Sequence, residues 1–209
     1  MQKTADYLPF VLSGIGVTLA LSIASLLLAA VLGLVGAWAK SSRNWGLRAV
    51  AETYTTVVRG IPDLVLMLLL FYGGQILVNN LGDATGLWTR LELDPFTVGV
   101  IAIGLIFGAY MTETFRGAYL SIPPGQFEAA KALGMKGWPL FRLVIWPQLV
   151  RHALPSFTNN WLSLMKTTAL ASVMGLEDIV SKATAAGRAT QQLHLFIAAR
   201  WKRLRPGSR

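Results

Sequence analysis

Charged residues are scarce in this 209-residue chain. They make up 14% of it, whereas 54% of the residues are hydrophobic and the mean hydropathy is +0.51. Because an ordinary soluble domain has about 25% charged residues, this composition excludes that class and predicts a membrane protein. Cysteine is absent, which excludes a disulfide framework and a cysteine-ligated metal site.

The groups needed for catalysis are also scarce. The two histidines, His152 and His194, lie in segments flanking the last long apolar run, and no Gly-x-Ser-x-Gly elbow is present. We therefore expect no catalytic residue and no metal site. A Gly-x-x-x-x-Gly-Lys-Ser/Thr phosphate-binding loop is missing as well, so we expect no cofactor in this chain and ATP binding elsewhere.

Basic residues outnumber acidic ones by 19 to 10, a net charge of +9. They occur in short runs between apolar segments, with no basic helix face and no aromatic stacking motif, so we expect no nucleic-acid partner. The distribution is typical of positive charge beside membrane spans.

Four apolar runs are long enough to cross a hydrocarbon core of about 30 Å, which needs about 20 helical residues. They cover residues 10–39, 49–81, 95–120 and 154–174, and the second is interrupted at "RGIP". The sequence therefore predicts an all-α, polytopic bundle of membrane helices.

Loop charges predict the orientation of the bundle. The loop of residues 79–94 carries one arginine against three acidic residues. The other two loops are basic, with Lys40, Arg43, Arg48, Lys131, Lys136, Arg142 and Arg151. By the positive-inside rule, the N-terminus lies outside and the stretch "EAAKALG" lies in the cytoplasm.

The "EAAKALG" stretch, Glu128 to Gly134, has the features of a short isolated helix. Two prolines precede it and suit a helix start, and residues 128–133 are good helix formers. Gly134 can adopt the left-handed conformation that ends a helix. From these residues alone, the helix could dock a partner or merely connect two spans.

The spacing of this stretch resembles a known signature. Glu128, Ala129 and Ala130 are followed by Gly134 and then by "VIWP", which ends at Pro147. This resembles the coupling-helix motif of the membrane subunits of ATP-binding cassette (ABC) importers, with two mild departures in "VIWP". The motifs "RGIPDLVLMLLLFYGGQ", "GAYMTETFRGAYLSIPPGQFEAAKALG" and "ALPSFTNNWLSLMKTTALASVMGLEDIV" resemble the polar amino-acid uptake permeases, Q-type subunits above all.

The resemblance covers about residues 14–190 and implies a type I (MetI-like) permease fold in a bacterial inner membrane. It implies that Glu128, Ala129, Ala130, Gly134 and Pro147 couple the chain to a cytoplasmic ATPase dimer, which binds ATP and magnesium. It further implies a paralogous permease subunit and an extracytoplasmic amino-acid-binding protein. The implied cargo is histidine, lysine, arginine or ornithine.

The interruption at Gly60 to Pro62 indicates a possible substrate path, because a helix broken at membrane depth faces protein or a wet cavity. Asp63 follows in the first turn of the resumed helix, where the helix dipole favours its ionised form. It could pair with a cationic side chain of the substrate or simply cap the helix at the membrane boundary.

Other polar residues within the apolar runs are candidates for the same path. Glu113 could line a polar cavity or form an ion pair with Arg116, which is also placed to reach the interface. Asn160 and Lys166 belong to a polar stripe on the last run; Lys166 could meet a substrate carboxylate or pair within the bundle. Gly104 and Gly108 predict close helix packing.

The end of the chain departs from the resembled family. We expect a permease domain over residues 1–195 and a short basic tail over residues 196–209 in place of a full last span, because "LHLFIAAR" is about 10 Å of helix. This leaves open an alternative, a truncated or scaffold subunit that binds partners without transporting.

Overall fold

The computed structural model describes residues 8–89, 91–174, 176, 181–182 and 184–185, and these contain helices and no strand. The predicted basic tail lies outside the described residues. The α-helices are α1 (Leu8–Lys40), α2 (Trp45–Gly60), α3 (Asp63–Leu68), α4 (Gly74–Thr85), α5 (Pro95–Leu120), α6 (Pro124–Ala132), α7 (Trp138–Leu140) and α8 (Trp146–Thr167). Two π-helical turns, π1 (Leu69–Gly73) and π2 (Phe141–Ile145), and a 3₁₀ segment, Thr168–Met174, complete the described elements.

Helices α1 and α5 form the centre of the fold, and small residues let them approach closely. A Cβ atom added to Gly33 would lie 2.4 Å from Cβ of Met111, and one added to Gly104 would lie 2.5 Å from Leu28. Gly108 is likewise covered by Leu32 and by the Tyr54 hydroxyl. The close packing predicted for Gly104 and Gly108 is therefore confirmed.

Three described segments are long and apolar enough to cross a membrane: Leu12–Lys40, Asp63–Thr85 and Pro95–Leu120. The fourth predicted span, residues 154–174, is not among these three segments. It falls on α8 and the 3₁₀ segment after it, and α8 begins at Trp146 rather than at residue 154, so the helix also includes polar residues such as Arg151 and His152. Pro147 is compatible with this earlier start because the first turn of a helix does not use its N–H groups.

The second span begins later in the structure than the sequence predicts, at Asp63 rather than at residue 49. Residues 45–60 form the separate amphipathic helix α2, and the apolar span begins only at Asp63. The chain is extended at Ile61, with φ −110° and ψ 137°, because a following proline disfavours helical geometry. The break predicted at Gly60 to Pro62 is therefore present, but it lies at the start of the span.

The turn between α4 and α5 is held by side-chain amides of α4. The Gln75 side chain donates to the Leu91 carbonyl and accepts from the Leu93 N–H at 2.8 Å. Asp94 caps α5, and the hydroxyl and backbone N–H of Thr97 that donate to it hold its pKa below the ordinary value. Side-chain hydrogen bonds therefore hold this turn against the start of α5.

Candidate functional site

A polar cavity of about 440 Å³ lies between the C-terminal ends of α1 and α2 and the inner face of α5. Its lining combines two cationic side chains, one carboxylate, a phenol and two hydroxyls, from Lys40, Arg59, Glu113, Tyr110, Thr55 and Thr56. The cavity lies between two membrane-length helices, α1 and α5, and the amphipathic helix α2. Ionisable groups that face the interior of such a bundle are costly unless they are paired or serve a function.

Lys40 and Glu113 form an ion pair across this cavity, with Nζ and Oε1 2.5 Å apart. The Lys40 side chain is 8% exposed and that of Glu113 28% exposed, so the pair is shielded from most solvent. The sequence analysis offered cavity lining and ion pairing as alternatives for Glu113, and the structure combines them. The partner is Lys40, however, and not Arg116, because the packing of α1 on α5 places the last residue of α1 opposite Glu113.

Asp63 is next to the cavity rather than on its wall. The Tyr110 hydroxyl donates a long hydrogen bond of 3.5 Å to Oδ1 of Asp63, and the Arg59 guanidinium lies 5.5 Å from the centre of the Tyr110 ring. Tyr110 therefore joins the carboxylate at the start of α3 to the cation at the end of α2. The structure places Asp63 at the first helical position, as the sequence predicts, with its side chain half-buried.

The other two path candidates lie elsewhere. Asn160 on α8 donates to the Thr114 hydroxyl at 2.9 Å and so ties α8 to α5 beside Glu113. Lys166 is exposed and has no ion pair among the residues that the structure describes. The fold thus brings Asp63, Glu113 and Asn160 around the C-terminal half of α5 but does not bring Lys166 to the cavity.

Sequence reasoning missed the roles of Lys40 and Arg59 in this cavity. From the sequence, Lys40 was counted as a loop charge and Arg59 as part of the helix break, and neither was predicted to line a cavity. The available signal was that each ends a helical run, Lys40 before the turn to α2 and Arg59 before the break at Gly60, where a long side chain can turn back toward a carboxylate.

Helix α6 projects from the bundle after α5. It ends in a Schellman motif, in which the N–H of Gly134 donates to the carbonyl of Lys131 at 2.9 Å and the N–H of Met135 to that of Ala130 at 3.0 Å. Gly134 has a φ of +75°, so the predicted left-handed conformation is confirmed. The adjacent Leu133 is 76% exposed.

One face of α6 is held by the chain itself. The Phe127 ring lies 5.9 Å from the Tyr119 ring, and Ala130 is only 3% exposed. Glu128, Ala129 and Gly134 are exposed, and Pro147 lies exposed at the start of α8. Of the five predicted coupling residues, Ala130 therefore supports α6 from within, and the other four are accessible to a partner.

The described residues thus form an all-α bundle with three membrane-length apolar helices, a polar cavity beside them and an exposed helix outside them. Residues 29–199 match the family described as binding-protein-dependent transport system inner membrane component. The chain belongs to this family, and it is a permease subunit of an ABC importer.

Individual relatives agree with this membership. The chain is 46% identical, over 89% of its length and 81% of the relative's, to the histidine/lysine/arginine/ornithine transport system permease protein HisQ of Escherichia coli K12. It is 42% identical, over 79% of its length and 71% of the relative's, to the nopaline transport system permease protein NocQ of Agrobacterium fabrum. It is 36% identical to the arginine ABC transporter permease protein ArtQ of Haemophilus influenzae, over 90% and 82% of the two chains.

A solved structure has the same fold. It is the crystal structure of an amino acid ABC transporter with histidines, with a TM-score of 0.77 and 31% sequence identity over 94% of this chain and 87% of that one. The MetI-like permease fold implied by the sequence motifs is therefore confirmed.

The pairing of Glu113 with Lys40 rather than with Arg116 can be tested by mutation. In a double-mutant cycle, Lys40→Met and Glu113→Gln should show a coupling free energy of at least about 1 kcal/mol, because either single change leaves a shielded charge unpaired. The cycle of Arg116→Gln with Glu113→Gln should couple by less than about 0.5 kcal/mol. Unfolding of the purified protein in detergent measures both, and equal coupling in the two cycles would contradict the assigned pair.

Proposed function

We propose that this permease subunit carries polar amino acids, preferentially cationic ones, and that a partner ATPase supplies the energy. ATP and magnesium bind to that ATPase, and this chain holds no cofactor of its own. The relatives are named for transport of histidine, lysine, arginine, ornithine and nopaline, which supports this substrate class.

The geometry of α6 carries the coupling part of the proposal. An exposed helix of nine residues, packed on its own chain through Phe127 and Ala130, can be pushed by a partner as a unit. Its end presents the exposed Leu133 beside the sharp turn at Gly134. Gln126 and Gln148 link α6 to α8 by a hydrogen bond of 3.3 Å, so a movement of α6 would reach the membrane helices.

The polar cavity supports the substrate path. Glu113 is already paired with Lys40, so Asp63, beside Tyr110 at the break before α3, is the carboxylate that can pair with a guanidinium, ammonium or imidazolium group. Glu113 lines the path. Asn160 is held next to this region through Thr114. We also propose that Lys166 contacts the carboxylate of the substrate. Because Lys166 is exposed and does not line the cavity, this contact belongs to a separate point on the path.

A working importer of this kind needs further subunits. We propose a paralogous permease subunit as the membrane partner, an ATPase dimer on the cytoplasmic side and an extracytoplasmic binding protein that delivers the amino acid. The family description, an inner membrane component of a binding-protein-dependent system, supports the binding protein, and the relatives named as ABC transporter permeases support the ATPase.

We further propose that the N-terminus and the loop between α4 and α5 face outward, while α6 faces the cytoplasm. Because the chain has no cysteine, single-cysteine labelling tests this directly. Thr89→Cys should react with a membrane-impermeant thiol reagent in intact cells, and Ser42→Cys, in the turn between α1 and α2, should react only after the cells are opened. The reverse pattern would overturn the orientation.

Docking of the ATPase on α6 is tested by Gly134→Pro. Proline cannot adopt a φ of +75° and removes the N–H that bonds Lys131, so the end of α6 should be distorted and ATPase association lost. Membrane insertion should be unchanged because the site lies outside the spans. Co-purification in detergent and stimulated ATP hydrolysis measure the effect.

The matched control is Gly125→Ala, in the first turn of the same helix, where an added Cβ meets nothing within 4 Å. It should assemble and couple as the unmodified chain does. A Gly134→Pro variant that still recruits and stimulates the ATPase would refute the docking assignment. An unmodified chain that recruits the ATPase but moves no amino acid would favour the scaffold alternative instead.

The role of Asp63 is tested by Asp63→Asn, which keeps the size and the hydrogen-bonding ability but removes the charge. Uptake of lysine or arginine should fall about tenfold, since a charged hydrogen bond contributes about 1.5–3 kcal/mol. ATPase assembly should persist. Radiolabelled uptake into vesicles containing the complete importer measures the change.

The control is Asp83→Asn, an exposed acidic residue of α4 near the opposite end of the same span. It should leave uptake within about twofold of the unmodified importer, as expected for an exposed surface charge. Equal uptake by the Asp63→Asn importer and the unmodified one would support helix capping as the role of Asp63.

A further inference from the structure

The wall of the polar cavity carries more positive than negative charge. Among the described residues that line it, Lys40 and Arg59 are cations and Glu113 is the one carboxylate. Glu113 forms its ion pair with Lys40. Arg59 has no ion pair within the described part of the chain, although its charge acts at longer range on Glu113 and Tyr110. Among these residues, one cation of the cavity therefore lacks a direct anionic partner.

Arg59 is held beside open space in this cavity. Its guanidinium lies 5.5 Å from the centre of the Tyr110 ring, a cation–π contact that restricts its position. Arg59 is exposed, and a Cβ atom added to the neighbouring Gly60 would meet nothing within 4 Å. The cavity volume of about 440 Å³ falls within the range of about 300–1,000 Å³ that is usual for small-molecule sites. A ligand of amino-acid size can therefore reach the guanidinium.

A second hydrogen-bond donor lies on the same face of α2. Thr56 precedes Arg59 by three residues, and side chains at that spacing are neighbours on a helix surface. Both residues line the cavity. A guanidinium donates two parallel hydrogen bonds to a carboxylate, and a neighbouring hydroxyl can donate another. This pair of side chains is therefore suited to a carboxylate.

Helix α2 is anchored to α5 by Tyr54, close to these two donors. The Tyr54 hydroxyl donates to the Leu105 carbonyl at 2.5 Å and lies where a Cβ atom on Gly108 would come within 2.8 Å of it. Burial raises the pKa of Tyr54 to about 12, so the hydroxyl stays protonated and continues to donate. Groups on an anchored helix lose less freedom when a ligand binds, which favours binding.

Given the proposed transport of cationic amino acids, on which this assignment rests, we infer that Arg59 binds the carboxylate of the transported amino acid and that the Thr56 hydroxyl donates to it as well. Asp63 accepts a hydrogen bond from the Tyr110 hydroxyl, so the guanidinium and the Asp63 carboxylate both lie beside one phenol. A cationic amino acid carries a carboxylate and a side-chain cation, and this arrangement holds it at both ends. The contact with Lys166, which does not line the cavity, belongs to a separate point on the path.

Binding of arginine and argininamide to the importer tests the assignment. The importer is purified in detergent with its partner subunits but without the binding protein, which would itself hold the amino acid. In slightly acidic buffer, argininamide keeps both cationic groups of arginine and replaces the carboxylate with a neutral amide of similar size. The unmodified importer should bind arginine about tenfold more tightly, because a hydrogen bond to a charged group is lost with the amide. Equilibrium dialysis with radiolabelled ligands measures both affinities.

Variants of two residues and a matched control identify the contact. Arg59→Gln should bring the two affinities within about twofold of each other, because only arginine loses a contact. Arg59→Lys should keep part of the preference, since it keeps the charge but not the two parallel hydrogen bonds. Asp63→Asn should weaken both ligands equally, since both carry the side-chain cation. The control is Arg48→Gln, an exposed cation about 16 Å earlier along α2, which should keep the tenfold preference.

A tenfold preference retained by Arg59→Gln would overturn the inference and leave the proposed transport function standing. Equal affinity of the unmodified importer for the two ligands would have the same meaning, as would an equal loss of preference in Arg48→Gln. Loss of preference in Lys166→Gln but not in Arg59→Gln would move the carboxylate contact to Lys166. If the unmodified importer binds neither ligand, the cavity is not a substrate site and the proposed path itself fails. Unchanged argininamide affinity in Arg59→Gln shows that this variant is folded.

Discussion

The close packing of α1 against α5 is the contact on which the other features depend. Gly33 and Gly104 remove the side chains that would hold these helices apart, so Met111 and Leu28 fit at distances that no Cβ would allow. This approach places Lys40, the last residue of α1, within reach of Glu113. In a membrane, helices gain little from the hydrophobic effect, so such close contact and a shielded ion pair supply much of the specificity.

Helix α5 separates two environments. Its side toward α2 and α3 carries Tyr110 and Glu113 and borders the polar cavity. Its side toward α8 carries Phe115 and Arg116 and borders an apolar groove that is also lined by Leu34, Leu149 and Phe157. Successive residues of one helix therefore serve different purposes because each turn of about 3.6 residues directs them around the axis. A permease subunit needs both kinds of surface, one for a polar cargo and one for the bilayer.

Two interruptions of helical geometry create the elements on which the proposed function depends. The extended residue Ile61 before Pro62 ends α2 and allows Asp63 to start a new helix beside Tyr110. The left-handed Gly134 ends α6 and leaves it as a discrete exposed element. Both breaks have local causes in proline and glycine geometry, which is why they were predictable.

The sequence by itself determined the all-α membrane class, the helix break at Gly60 to Pro62 and the turn at Gly134, because hydropathy and backbone geometry are local properties. It also determined the family, through motifs that span most of the chain. Only the tertiary structure decided that Glu113 pairs with Lys40 rather than Arg116, that Ala130 is buried and that Lys166 lies away from the cavity. Those outcomes depend on which helix faces meet across long stretches of chain, and spacing along one helix cannot specify that.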